Sequence, residues 1–210
     1  MLLSKIQRKK FLELCLKKAS FDPNHHRRRL RQLSVYTLPN LNLLTPYVVC
    51  GAWAANNYMA PRNTQDVDIL TTTENLENIL TELELQGYVL DGPLELSGKD
   101  RLGPLYGARM VKPDTPYPII DVLTSEDTWV AKAIGEAKLD PSGNKVLSIP
   151  YLVLMKIDAR ARDMADLVSI LGNAGGETLE RTKDLIFKYL PNSLDDFASL
   201  VLMAKIESGK

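Results

Sequence analysis

Asp66 and Asp68 stand one residue apart in Asp66–Leu70, DVDIL. On an extended strand both carboxylates project from one face, while Val67 and Ile69 project from the other. Two carboxylates side by side above an apolar face repel each other and lose hydration. A divalent cation between them relieves both problems. Upstream, Gly51 breaks the apolar run 47–50 and precedes an Ala-rich stretch, 52–59, expected as a short helix. The unpaired N–H groups and positive dipole end of a helix start suit a phosphate. Pro61, Arg62 and Asn63 make a turn, leading through Thr64 into the carboxylate strand. A D-x-D pair alone is common on solvated strands. Joined to a glycine turn, a helix start and Arg62-x-Thr64-x-Asp66-x-Asp68, it assembles the parts that phosphoryl-type transfer needs.

A second place of interest is the run 119–123, IIDVL. A single Asp among four aliphatic residues is costly in a strand unless it has a partner, so Asp121 is either an edge residue facing water or a partnered one. Further on, Lys156, Arg160, Asp163 and Asp166 follow at steps of four, three and three, which would place them near one stripe of a helix. Such a stripe is either a salt-bridged surface or the wall of a site.

The segment GAWAANNYMAPRNTQDVDIL resembles the G-[GSA]-x-A-(x)n-R-x-T-x-D-x-D-[IL] signature of the polymerase-beta-like nucleotidyltransferase superfamily. It looks closest to the AbiEii-like, type IV toxin-like and minimal nucleotidyltransferase proteins. SIPYLVLMKIDARARDMADL similarly resembles the helix that follows the catalytic half in AbiEii-like proteins. The resemblance implies nucleotide contacts at Gly51, Ala52, Arg62, Thr64 and Lys156. It implies Mg²⁺ or Mn²⁺ at Asp66, Asp68 and Asp121, catalytic roles for these three and Lys156, and acceptor or supporting roles for Arg160, Asp163 and Asp166. One position departs: Ala52 stands where active members carry Gly or Ser, which keeps a backbone donor but removes a hydroxyl contact. The implied reaction moves a nucleoside monophosphate from an NTP to an acceptor hydroxyl. In AbiEii-like relatives the acceptor is tRNA or protein, in a toxin–antitoxin setting; other members modify small hydroxylated antibiotics. The alternative is a degenerate, non-catalytic member that binds RNA or a protein partner, a reading that Ala52 favours.

Composition is that of an ordinary globular protein: 210 residues, 45% hydrophobic and 25% charged. With no apolar run of membrane-spanning length, no export-type leader and only Cys15 and Cys50 as cysteines, a cytoplasmic, reducing setting is expected. The net charge of zero is unevenly spread. Residues 1–31 carry ten Lys/Arg against two acids, leaving 16 basic and 24 acidic residues for the rest. The basic end suits an anionic partner such as tRNA, or else the acidic body of the same protein. No aromatic residues interleave with HHRRRLR to stack bases, and His25 and His26 lack a third ligand.

The elements that must position these residues follow from periodicity. Amphipathic or basic helices are expected over 4–20 and 25–33, and a helix over 73–86, with Leu76, Ile79, Leu80 and Leu83 on one face, stopped by Gly87. Strands are expected over 88–90, 106–111 and 119–123, and a hairpin over 134–148 turning at 140–144. A long helix capped by Ser148 should run over 149–171, followed by helices over 177–190 and, from a capping box at Ser193 and Asp196, through 206. Arg101 and Arg109 read as surface charges that could reach a triphosphate. The expected fold is α/β (α+β), a mixed sheet flanked by helices with a helical C-terminal half. Its parts are a basic segment over 1–45, a catalytic core over 46–147 and a helical subdomain over 148–210.

Overall fold

The computed structural model describes residues 38, 40–96, 104–157 and 161–209. The expected basic helices, the two histidines, Cys15, Arg101 and Arg160 lie outside the described residues.

β1 (Val48–Val49) is buried on both sides, which its unbroken apolar run requires. Gly51, at φ +58°, turns the chain into α1 (Gly51–Ala55). This helix is shorter than expected, and two side-chain amides bind backbone around its end. The Asn56 side chain donates to the Arg62 carbonyl and accepts from the Arg62 N–H, and Asn57 Nδ2 donates to the Trp53 carbonyl. β2 (Asp66–Leu70) falls where the alternation put it. A 3₁₀ turn at Thr73–Asn75 leads into α2 (Leu76–Leu85), which buries Leu76, Ile79 and Leu83 and ends before Gly87 at φ +84°.

β3 (Val89–Leu96), β4 (Leu105–Lys112) and β5 (Thr115–Thr124) are longer than their apolar centres suggested. Successive antiparallel pairing carries each strand past its hydrophobic core. α3 (Trp129–Gly135) occupies the start of the expected hairpin and buries Trp129, Val130 and Ala133. The hairpin itself shrinks to β6 (Lys138–Leu139) and β7 (Lys145–Val146), joined by a turn in which Asp140 Oδ1 accepts the N–H groups of Ser142 and Asn144.

The seven strands form one mixed sheet in the order β3-β4-β5-β2-β1-β7-β6. β2 sits at its centre, parallel to β5 and antiparallel to β1. This is the expected α/β arrangement, with the helical half following the sheet in sequence.

The expected long helix is instead two. α4 (Ile149–Lys156) is buried nearly all round, whereas α5 (Ala161–Asn173) is amphipathic. A single straight rod cannot serve both environments. Ser148 stands at the start of α4, but its buried hydroxyl has no hydrogen-bond partner among the described residues, so the expected cap is not made. α6 (Gly176–Tyr189) packs on α4, and α7 (Leu194–Ser208) packs on α5. α7 starts after Ser193 as expected, though without a side-chain cap bond. Trp129, Tyr151, Ile69, Leu70 and Ile120 are among the fully buried side chains, each contributing on the order of 1.5–3 kcal/mol by leaving water. No described helix is long and apolar enough to cross a membrane.

Candidate active site

Asp66 and Asp68 lie on one face of β2 and are partly buried, while Val67 and Ile69 are buried on the other. Register places Asp68 directly beside Asp121 of β5, a neighbour that no local pattern specifies. Asp66 is held in position by its surroundings. The Thr64 hydroxyl donates to its Oδ1 at 2.7 Å, and Trp53 Nε1 donates to its carbonyl at 3.0 Å. Asp68 is held by its backbone, whose carbonyl accepts the Cys50 N–H at 2.8 Å.

Gly51 sits immediately under the Asp68 side chain. A Cβ built on Gly51 would fall 1.8 Å from Asp68 Oδ2. Positive φ and close approach both require glycine there. Ala52 follows, buried, at the start of α1, whose five residues make a weak dipole.

Burial pushes the Asp68 carboxyl up to about 7, with the charges of Asp66 and Asp121 adding to the rise and Lys156 and Arg109 opposing it. Burial likewise raises Asp121 above the ordinary carboxylate range, opposed by its bond to Arg109. Burial also lifts the Cys50 thiol well above its usual value, with the Asp68 charge adding to the shift.

Arg109, expected as a surface charge, is a partner of Asp121. It lies opposite Asp121 in the β4–β5 register, not on the open surface. Its Nε and Nη2 donate to the two Asp121 oxygens at 2.7 and 2.6 Å. The signal that could have found it is similar to that for Asp121: a charge set between Ala108 and Met110 in the apolar middle of a strand.

The second cluster joins three segments. Lys156, at the end of α4, places Nζ 2.5 Å from Asp163 Oδ1 and 3.4 Å from Asp166 Oδ2, both on α5. Along one straight helix, seven and ten residues would separate these groups by about 10 and 15 Å of rise, so the contacts are made between two helices, not along a single stripe. Arg62 joins from the turn before β2, its Nε and Nη2 donating to Asp166 Oδ1 and Oδ2 at 3.1 and 2.9 Å. Lys156, Asp163 and Asp166 are all buried. Burial without pairing would be prohibitive, and here each charge is compensated.

A cleft of about 450 Å³ is lined among others by Trp53, Asn56, Arg62, Thr64, Ser142 and Asn144; the carboxylates of β2 and β5 are not part of its lining. Its size is in the range of small-molecule sites.

The donor chemistry at Asp66 and Asp68 fits a hard divalent cation: two like-charged carboxylates on one face, one of them lifted to about 7. Asp121, the expected third ligand, stands beside Asp68 in register. Among the described residues, no group of three or more His, Cys, Asp or Glu side chains gathers in a form that could hold a metal ion, and both Asp121 oxygens are taken by Arg109.

No protein-family model matches the chain. No curated protein matches it either. Solved structures do. JHP933 from Helicobacter pylori is 17% identical, with 92% of this chain and 91% of that one covered and a TM-score of 0.42. The antibiotic-resistance factor ANT(2'')-Ia, in its solution structure, is 15% identical over 73% of this chain and 80% of its own, with a TM-score of 0.35. The crystal structure of ANT(2'')-Ia with adenylyl-2''-tobramycin is 12% identical over 74% and 86%, also at 0.35.

Proposed function

We propose that this chain is a metal-dependent nucleotidyltransferase, moving a nucleoside monophosphate from an NTP to an acceptor hydroxyl. The observation that carries the reading is the placing of Asp66 and Asp68 on one face of β2 over the glycine turn at Gly51, with Asp121 beside Asp68 on the adjacent parallel strand. Asp66 and Asp68 would hold Mg²⁺ or Mn²⁺, which supplies charge neutralisation for the triphosphate when bound. Gly51 and Ala52 bring backbone close to that pair, and Arg62 and Thr64 line the cleft where phosphates would approach. The acceptor oxygen attacks the α-phosphorus, the bond from that phosphorus to the bridging oxygen breaks, and pyrophosphate leaves. The hydroxyl proton passes to a carboxylate, for which Asp121, fixed by Arg109 and facing Asp68, is the candidate. Lys156, buried with Nζ on Asp163 and Asp166, adds positive charge that opposes the rise of the Asp68 carboxyl.

Among acceptors, tRNA is favoured by the basic residues 1–31, and the setting would be that of a toxin with a cognate antitoxin. If so, neutralising Arg27, Arg28 and Arg29 weakens RNA binding and flattens its salt dependence; unchanged binding would end the RNA proposal. A second reading has its own support: a non-catalytic member that binds RNA or protein, favoured by Ala52 and by the closure of Asp121 by Arg109. One experiment separates the two. Purified protein is incubated with Mg²⁺ or Mn²⁺, each α-³²P-labelled NTP, and total tRNA or cell lysate. Label on RNA, protein or a small molecule, lost in Asp66→Ala/Asp68→Ala, supports transfer. No label anywhere and no NTP binding supports the second reading.

A further inference from the structure

Asp166 is not among the residues that line the cleft, yet it takes up the guanidinium of one that is. Arg62 is one of the lining residues of the 450 Å³ cleft, and its side chain is 27% exposed. Asp166 is 6% exposed and stands behind it on α5, 104 residues away in sequence. The two parallel bonds consume the Nε and one Nη2 hydrogen of the guanidinium. Nη1 and the second Nη2 hydrogen are not used by this pair. A bidentate fork fixes both the direction and the plane of an Arg in a way that a single contact cannot. The backbone of Arg62 is fixed as well, through both amide atoms of Asn56. The same Asp166 oxygen that receives Nη2 also lies 3.4 Å from Lys156, so the carboxylate is itself braced.

We propose that Asp166 is a positioning residue that holds Arg62 with its open edge toward the cleft, to receive the polyphosphate of a nucleoside triphosphate. This rests on the nucleotidyltransferase reading above. A purely structural carboxylate would tie the helical half to the turn before β2 with no consequence for ligand affinity. A positioning carboxylate acts on the ligand only through Arg62, so its effect disappears once the guanidinium is gone.

The test is a double-mutant cycle on the full chain with Arg62→Gln, Asp166→Asn and the double variant, read as the dissociation constants of ATP, GTP, CTP and UTP by titration calorimetry with Mg²⁺. Each single variant is expected to weaken the best-bound nucleotide about tenfold, and the double variant to be no weaker than Arg62→Gln alone, because charge-assisted contacts of this kind carry that magnitude. Losses that multiply in the double variant would overturn the inference, as would undiminished affinity in Arg62→Gln. Should Asp166→Asn fail to fold, Arg62→Lys decides the matter. It keeps the charge but not the fork, and affinity equal to the unaltered protein would overturn the inference. If the unaltered protein binds none of the four nucleotides, the nucleotide reading itself falls and this inference falls with it. Nucleotide binding with multiplying losses removes the inference alone.

Discussion

Gly51 and Asp68 occupy the same space in turn: where a Cβ of residue 51 would stand, 1.8 Å away, lies Asp68 Oδ2. The site is built on the missing side chain. Gly51→Ala must therefore displace the carboxylate and also place an L residue at φ +58°, which costs about 1–2 kcal/mol by itself. The expected outcome is an unfolding free energy, from urea titration, lower by at least that amount, together with loss of Mn²⁺ binding measured by electron paramagnetic resonance. Unchanged Mn²⁺ binding would show that Asp68 does not hold the cation.

Arg109 neutralises Asp121 inside the sheet. Arg109→Gln leaves a carboxylate that is 6% exposed without its partner. Breaking one side of a buried pair costs about 3–5 kcal/mol, and the partial exposure of Arg109 puts the expected loss at about 3 kcal/mol or less. Arg109→Gln combined with Asp121→Asn should recover much of it, because no charge then remains unpaired. Denaturant titration of the three variants checks this. Equal stability of the single and double variants would contradict the pairing.

Asp68 makes the metal-free protein sensitive to pH. Its carboxyl titrates at about 7 when folded against an ordinary 3.8, so the folded state binds the proton more tightly. The stability this group adds is fully present below about pH 4 and is lost as pH rises through 7. Without metal, the urea midpoint should fall between pH 5 and pH 8, and Asp68→Asn should remove that fall. Saturating Mg²⁺ should reverse it at pH 8, where the ionised pair is available. A flat profile in the unaltered, metal-free protein would contradict the burial of an ionisable Asp68.

Cys50 is fully buried under the site, and its thiol is pushed well above the usual range. In a Cys15→Ser variant, a disulfide reagent at pH 8 should leave the folded protein unmodified for hours and react at once in urea. Fast reaction in the folded state would mean that β1 opens readily.

Much of this site is local in sequence, and that part was legible. The alternation of Asp66 and Asp68, the glycine between strand and helix, and the isolated Asp121 each follow from a few neighbouring residues, and β2 falls on the residues its pattern marked. The pairings were not legible, because register between distant strands decides them. Arg109 meets Asp121 only once β4 and β5 align, and Arg62 meets Asp166 only once α5 packs against the turn. The same limit explains the long helix that divides after Lys156. Periodicity continued through it, but the change from all-round burial to one wet face is a tertiary property. α3 went unseen because its seven residues offer barely two turns of pattern.

The most direct measurement compares α-³²P- with γ-³²P-labelled NTP under identical conditions with Mg²⁺ and total tRNA or lysate, while counting the pyrophosphate released. Nucleotidyl transfer predicts label on an acceptor from the α-labelled nucleotide only, one pyrophosphate per label, and neither product with Asp66→Asn or Asp68→Asn. Label arriving from the γ position, or transfer that survives both substitutions, would contradict it.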